Sequence, residues 1–153
     1  MIDVQSHQVE VQPEWIRLAE KSAETALRLE GQPPETDLTI VFSDDDEVRT
    51  LNRQFLGRDA PTDVLSFPAD EIDPETGKPY LGDIILSIPR AREQAALGQH
   101  PVEAEIQLLI VHGVLHLLGY DHAEEDEKQV MWNAQAEILA AMGSPLRFPP
   151  ETI

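Results

Sequence analysis

Three of the five histidines in this chain fall in one short stretch, VHGVLHLLGYDH at residues 111–122, as His112, His116 and His122. Imidazole is a good ligand for first-row transition metals, and the spacing suits a single ion. Residues four apart on an α-helix sit one turn apart and about 40° from eclipsed, so His112 and His116 can aim at a common point. Gly119 supplies the left-handed residue that commonly ends a helix and turns the chain, which lets His122 return to that point. Three nitrogens with a fourth position open describe a catalytic zinc site, since a structural one closes with four protein ligands. A lone histidine on an apolar helix is more often a hydrogen-bonded core residue. Three at this spacing would each need a separate buried partner, and the turn would go unexplained, so a metal is the better reading. Zinc accepts three neutral imidazoles and a water, although residue type alone does not separate it from nickel, cobalt or manganese. Such an ion lowers the pKa of a water toward neutrality and polarises a carbonyl or phosphoryl group.

The spacing equals that of the metzincin peptidases, H-E-x-x-H-x-x-G-x-x-H. Gly113 stands where those enzymes carry the glutamate that acts as general base, and glycine cannot move a proton. A peptidase built on this motif would take its base from elsewhere. Met131 and Met142 lie where a Met-turn would be sought, but they read as packing residues.

The elements that must hold the histidines can be read in outline. A long helix over residues 101–118 carries the first two, and its apolar residues fall nearly all round it, which predicts burial against a sheet. His100 precedes that helix and is too early to share the histidine face. Alternation over residues 2–11 predicts a first strand with Ile2, Val4, Val9 and Val11 inward if His7 marks an irregularity. Pro13 opens a helix to Glu30, with Trp15, Leu18, Ala19, Ala26 and Leu29 on its apolar face and Gly31 after it. Residues 38–42 predict a second strand. The SDDDE that follows reads as an N-cap and first turn favoured by the helix dipole, not a cation site, and it starts a helix through Val48, Leu51 and Phe55 that Gly57 ends.

Residues 62–68, TDVLSFP, predict a third strand, residues 69–80 an acidic hairpin connection, and residues 81–88 a fourth strand. Pro89 opens a helix that Gly98 closes. A last helix over residues 124–142 packs Val130, Met131, Ala134, Ile138 and Leu139, and residues 143–153 form an extended proline-rich tail. Strands concentrated in the first half and helices in the second predict an α+β domain over residues 1–153, with a mixed sheet of about four strands and a metzincin-like three-histidine site.

The 153 residues include no cysteine, which removes disulfides and thiolate ligands and suits a reducing compartment. Neither a signal peptide nor an apolar run of membrane-spanning length is readable, so a cytoplasmic location is expected. The formal net charge of −18 argues by itself against a nucleic-acid partner. Distribution qualifies it, because acidic residues crowd 44–47, 70–75 and 124–127 whereas Arg49, Arg53 and Arg58 cluster elsewhere.

HGVLHLLGYDH, with PTDVLSFP at residues 61–68 and LGDIILS at residues 81–87, resembles the YbeY family of bacterial rRNA maturation endoribonucleases. The three motifs occur in the family's order, and the resemblance covers nearly the whole domain. It implies a metal-dependent, single-strand-selective endoribonuclease acting on rRNA, notably at the small-subunit 3′ end, and in ribosome quality control. It also implies zinc held by His112, His116 and His122. Many members carry an arginine just before the glycine of the segment equivalent to residues 56–59. This chain has Leu56 there, with Arg58 two residues on, and the resemblance therefore assigns no catalytic arginine. Two other readings stay open at this point: a metallohydrolase of another class, such as a peptidase, and a non-catalytic ribosome-assembly factor with a structural metal.

Overall fold

The computed structural model describes residues 2–72 and 74–146, with nine elements in the order β1 Ile2–Ser6, α1 Pro13–Leu29, β2 Asp37–Ser43, α2 Asp45–Leu56, β3 Val64–Ile72, β4 Pro79–Ser87, α3 Ile88–Gly98, α4 Val102–Leu117 and α5 Glu125–Ala141. Local chemistry explains three of the helix starts. Pro13 occupies the first turn of α1, where its missing N–H costs nothing. Asp44 caps α2 by accepting the Glu47 N–H at 2.9 Å, as expected for the SDDDE run. Glu124 and Glu127 form a reciprocal capping box at the start of α5.

The four strands form one mixed sheet in the order β1-β2-β4-β3, with β1–β2 and β2–β4 parallel and β3–β4 antiparallel. The helix α1 makes the crossover from β1 to β2, and β4 returns between β2 and β3. The β2 run LTIVF is buried on both faces, and such strands read as continuous apolar stretches. One face of the sheet carries the main core. There α4 lies beneath α1, α3 and α5, with Ile106, Leu108, Leu109, Ile110, Val111, Val114 and Leu115 all at 0% exposure. Each such side chain contributes about 1.5–3 kcal/mol on burial, so this helix anchors the layer. The other face carries α2, over a small cluster of Val41, Val48, Leu65 and Ile85.

Close approach of α4 to the sheet requires glycine at one point. A Cβ on Gly113 would lie 2.9 Å from Ile84 Cγ2, and the Gly113 carbonyl accepts the Ser66 hydroxyl of β3 at 3.3 Å. The α4 helix is therefore seated against β3 and β4 at the residue between its two histidines.

Several expectations need correction. The first strand ends at Ser6: the His7 N–H closes the ladder on Phe42 O at 2.8 Å, and Gln8 then turns left-handed, with φ 64°. Val9 and Val11 still pack on the core, but from a loop. The third strand runs on to Ile72 and the fourth starts at Pro79, because antiparallel pairing extends through residues expected to be a loop. Leu29 and Val130, expected on apolar faces, are 45% and 59% exposed, while Phe55, at helical spacing on α2, is 65% exposed and meets the Phe67 ring edge-on, 5.6 Å between centroids. The proposed tail is described only to Leu146, and residues 147–153 lie outside the described residues.

Candidate metal centre

The last two turns of α4 present His112, buried at 2% exposure, and His116, half-buried. The helix ends in a Schellman arrangement. Gly119, with φ 101°, donates its N–H to His116 O at 3.0 Å, and the Tyr120 N–H reaches Leu115 O at 3.0 Å. This reversal carries residues 120–122 back along the helix end. The Tyr120 hydroxyl fastens the turn to the end of α1 by donating to Glu30 Oε1 at 2.5 Å, a bond that with burial pushes the phenol up to about 12. His122 comes to rest beside the other two, and one nitrogen from each of the three lies within 4.8 Å of the others. His7 and His100 stay outside, on Glu47 at 3.2 Å and Glu105 at 2.7 Å respectively.

Hydrogen bonds orient the two helical imidazoles. The Tyr120 carbonyl can only accept, so His116 Nδ1, 3.0 Å from it, carries the proton and Nε2 is left as a lone pair. His112 Nδ1 faces Gln135 Oε1 of α5 at 3.1 Å, and with the amide in that sense His112 takes the same tautomer. The two Nε2 atoms face each other at 3.1 Å, and in that sense of the amide no proton lies between them. Two lone pairs in that position repel, and a cation between them removes the repulsion. The distance suits one, because zinc bonded to nitrogen at about 2.0–2.1 Å in a tetrahedral site separates its ligands by roughly 3.3 Å.

Electrostatics favour the neutral, ligating form. Burial first, then the neighbouring His116, pushes His112 down to about 3. His116 is lowered by burial and then by His122. The Trp132 ring closes the α5 side, with its centroid 5.8 Å from that of His112 and 5.4 Å from that of His122.

The three histidines form one wall of a cleft of ≈ 510 Å³, whose opposite wall is Asn52, Leu56, Arg58 and the start of β3. Asn52 shapes that wall twice: its carbonyl accepts the Arg58 N–H at 3.2 Å and its amide donates to Ala60 O at 2.9 Å. Asp59 engages Arg49 at 2.9 Å and Arg53 at 3.8 Å, whereas Arg58 has no ion-pair partner among the described residues. Asp63 also lines the cleft, but it is buried and accepts from Gln94 at 3.2 Å, and burial raises its carboxyl above the usual range.

Comparison with known proteins is decisive for the family. The family model for endoribonuclease YbeY matches residues 1–143. The chain belongs to the YbeY endoribonuclease family. Among YbeY relatives, the protein named endoribonuclease YbeY from Geobacillus kaustophilus is 43% identical over 149 residues, covering 93% of this chain and 96% of that one. The like-named protein of Halalkalibacterium halodurans is 50% identical over 115 residues, covering 70% and 72%. A solution structure from Thermotoga maritima shares the fold, with a TM-score of 0.60 at 24% identity over 99% of this chain and 97% of that one. The YbeY motifs quoted above lie where the cleft is built: residues 61–68 in one wall and residues 112–122 in the other, with residues 81–87 beneath as the strand α4 rests on.

Sequence reasoning missed Gln135, Trp132, Asn52 and the Tyr120 carbonyl. Gln135 left a trace, because it shares the inward face of α5 with Met131 and Ile138, where an apolar residue is expected. A backbone carbonyl leaves none.

Proposed function

We propose that His112, His116 and His122 hold one zinc ion, and that the chain uses it to cleave single-stranded RNA in rRNA maturation, at the small-subunit 3′ end, and in ribosome quality control in the cytoplasm. The observation that carries this reading is the pair of Nε2 atoms, one from His112 and one from His116, facing each other at 3.1 Å in a cleft wall, in a chain of the YbeY endoribonuclease family. When bound, the ion supplies an activated water and positive charge for a phosphorane-like transition state. The protein's own residues do the rest. Gln135 and Tyr120 hold the imidazoles in the ligating tautomer, and Trp132 keeps that side dry. Arg58, free of carboxylates and presented by the Asn52 clamp, meets a backbone phosphate across the cleft. A flexible single strand can bend its backbone into this cleft, which favours it over a paired helix.

Gly113 speaks against a peptidase on structural grounds as well as chemical ones. A glutamate at that position would drive its Cβ into Ile84.

Metal analysis combined with cleavage of single-stranded and structured rRNA by wild type, His116→Ala and Arg58→Ala tests the proposal. The expected result is one zinc per chain and cleavage of single-stranded RNA that His116→Ala abolishes. Arg58→Ala is expected to lower the slope of log K against log salt by ~0.7, as for one lost phosphate contact on a single strand. Undiminished cleavage by His116→Ala would sink the site. Product ends separate two routes, a 5′-phosphate marking attack by water and a 2′,3′-cyclic phosphate attack by the RNA's own 2′-hydroxyl.

A further inference from the structure

His112 and His116 are oriented by chemically different partners, and the difference has a use. His116 Nδ1 faces the Tyr120 carbonyl, which accepts and never donates, so its tautomer is fixed. His112 Nδ1 faces the side-chain amide of Gln135, which can do either. Gln135 is at 0% exposure on the inward face of α5, and its Nε2 has no hydrogen-bond partner among the described residues. Burying an amide with unpaired donors is costly, and leucine or methionine would fill this core position at less expense.

The two ends of an amide are nearly the same size, so the same pocket holds Gln135 in either sense. With Oε1 toward His112, the imidazole carries its proton on Nδ1 and offers Nε2 to a cation. With Nε2 toward His112, Nδ1 becomes the acceptor and the proton moves to His112 Nε2, which is 3.1 Å from the lone pair on His116 Nε2. That is an ordinary hydrogen bond in place of two opposed lone pairs. In either sense part of the amide goes unpaired, so the choice falls to whatever sits between the imidazoles. A glutamate would accept only and would hold one sense.

We propose that Gln135 is a positioning residue for the metal centre, setting the His112 tautomer and serving the protein with and without its ion by turning its amide end for end. The proposal rests on the metal reading above. Zinc loading converts a His112–His116 hydrogen bond into a ligand pair, and release of the ion restores it without charging a buried ring.

The test is imidazole ¹⁵N spectroscopy of His112 in zinc-free and zinc-saturated protein, together with zinc affinity by chelator competition, for wild type, Gln135→Glu and Gln135→Leu. In wild type the His112 proton is expected on Nε2 without zinc and on Nδ1 with it. Gln135→Glu should hold the proton on Nδ1 in both samples and release zinc more slowly. Gln135→Leu should bind zinc roughly 10–100-fold more weakly, the usual effect of losing the partner of a ligating imidazole. Wild-type tautomers and affinities in both variants would overturn the proposal, as would a zinc-free wild type already protonated at Nδ1. Failure of wild type to bind zinc at these nitrogens would instead overturn the metal reading, and the zinc-free tautomers of wild type and Gln135→Glu still report on Gln135. Gln135→Glu is nearly isosteric and keeps the experiment interpretable if Gln135→Leu does not fold.

Discussion

Histidine chemistry occurs at both ends of α4, and the two ends solve opposite problems. Just before the helix, His100 Nε2 meets Glu105 Oε2 at 2.7 Å, and the carboxylate is fully buried. The absence of a side chain on Gly98 makes room, since a Cβ there would come within 2.6 Å of the His100 ring. At the far end no carboxylate among the described residues joins the cluster, and the imidazoles point at one another. His100 meets its carboxylate away from the three clustered rings, so no other imidazole there shares a cation with it. His112 and His116, each hydrogen-bonded from behind through Nδ1 and facing the other through Nε2, are placed to share one. Number and spacing of histidines are thus less telling than what stands behind each ring.

The largest expected contrast is in metal affinity. His122→Ala should weaken zinc binding at least ~100-fold, more than loss of an orienting partner costs, whereas His100→Ala should leave it unchanged. Chelator competition reads both, and a comparable loss in His100→Ala would break the comparison. Stability should show the reverse. Glu105→Ala leaves a half-satisfied buried site and should cost about 3 kcal/mol in urea denaturation of the zinc-free protein. Midway along the helix, Gly113→Ala should cost about 1–2 kcal/mol, because Ile84 must give way and the gain in helix propensity offsets only part of the overpacking.

A smaller, sharper distinction lies in pH. His112 is depressed from 6.5 to about 3 on folding, so its contribution to stability is present above pH 6.5 and lost as pH falls toward 3. Glu105 is raised above 4.5 by burial, with His100 opposing, so its contribution is present below pH 4.5 and lost as pH rises through the higher folded value. Stability of the zinc-free protein should therefore fall on the acid side by up to about 1.4 kcal/mol per pH unit from this ring alone. His112→Leu should flatten that limb, and Glu105→Gln should flatten the opposing trend. An unchanged acid limb in His112→Leu would show that the buried imidazole is not its source.

Much of the architecture was readable because it depends on local signals. Pro13, the Asp44 cap, Gly57 and Gly119 mark boundaries through backbone geometry that no distant residue alters. The apolar surface all round α4 announced a buried helix before any partner was known. The strand limits were less legible, because pairing decides them: β3 reaches Ile72 only because β4 lies alongside, and β1 stops at Ser6 where Gln8 turns away. The exposed Phe55 shows the same limit from the packing side, since helical spacing places a residue on a face but does not say how far the neighbouring layer extends.

By itself the sequence determined the three candidate ligands, the helix and turn that bring them together, and the glycine that denies the peptidase base. Spacing along one helix and one turn is a local property, and it survives any arrangement of the rest. Tertiary structure alone decided the surroundings: Gln135 from α5 behind His112, Trp132 beside it, Asn52 and Arg58 across the cleft, and Glu105 occupying His100. These depend on contacts between segments tens of residues apart, and only the packed sheet and helices bring such segments within hydrogen-bonding distance.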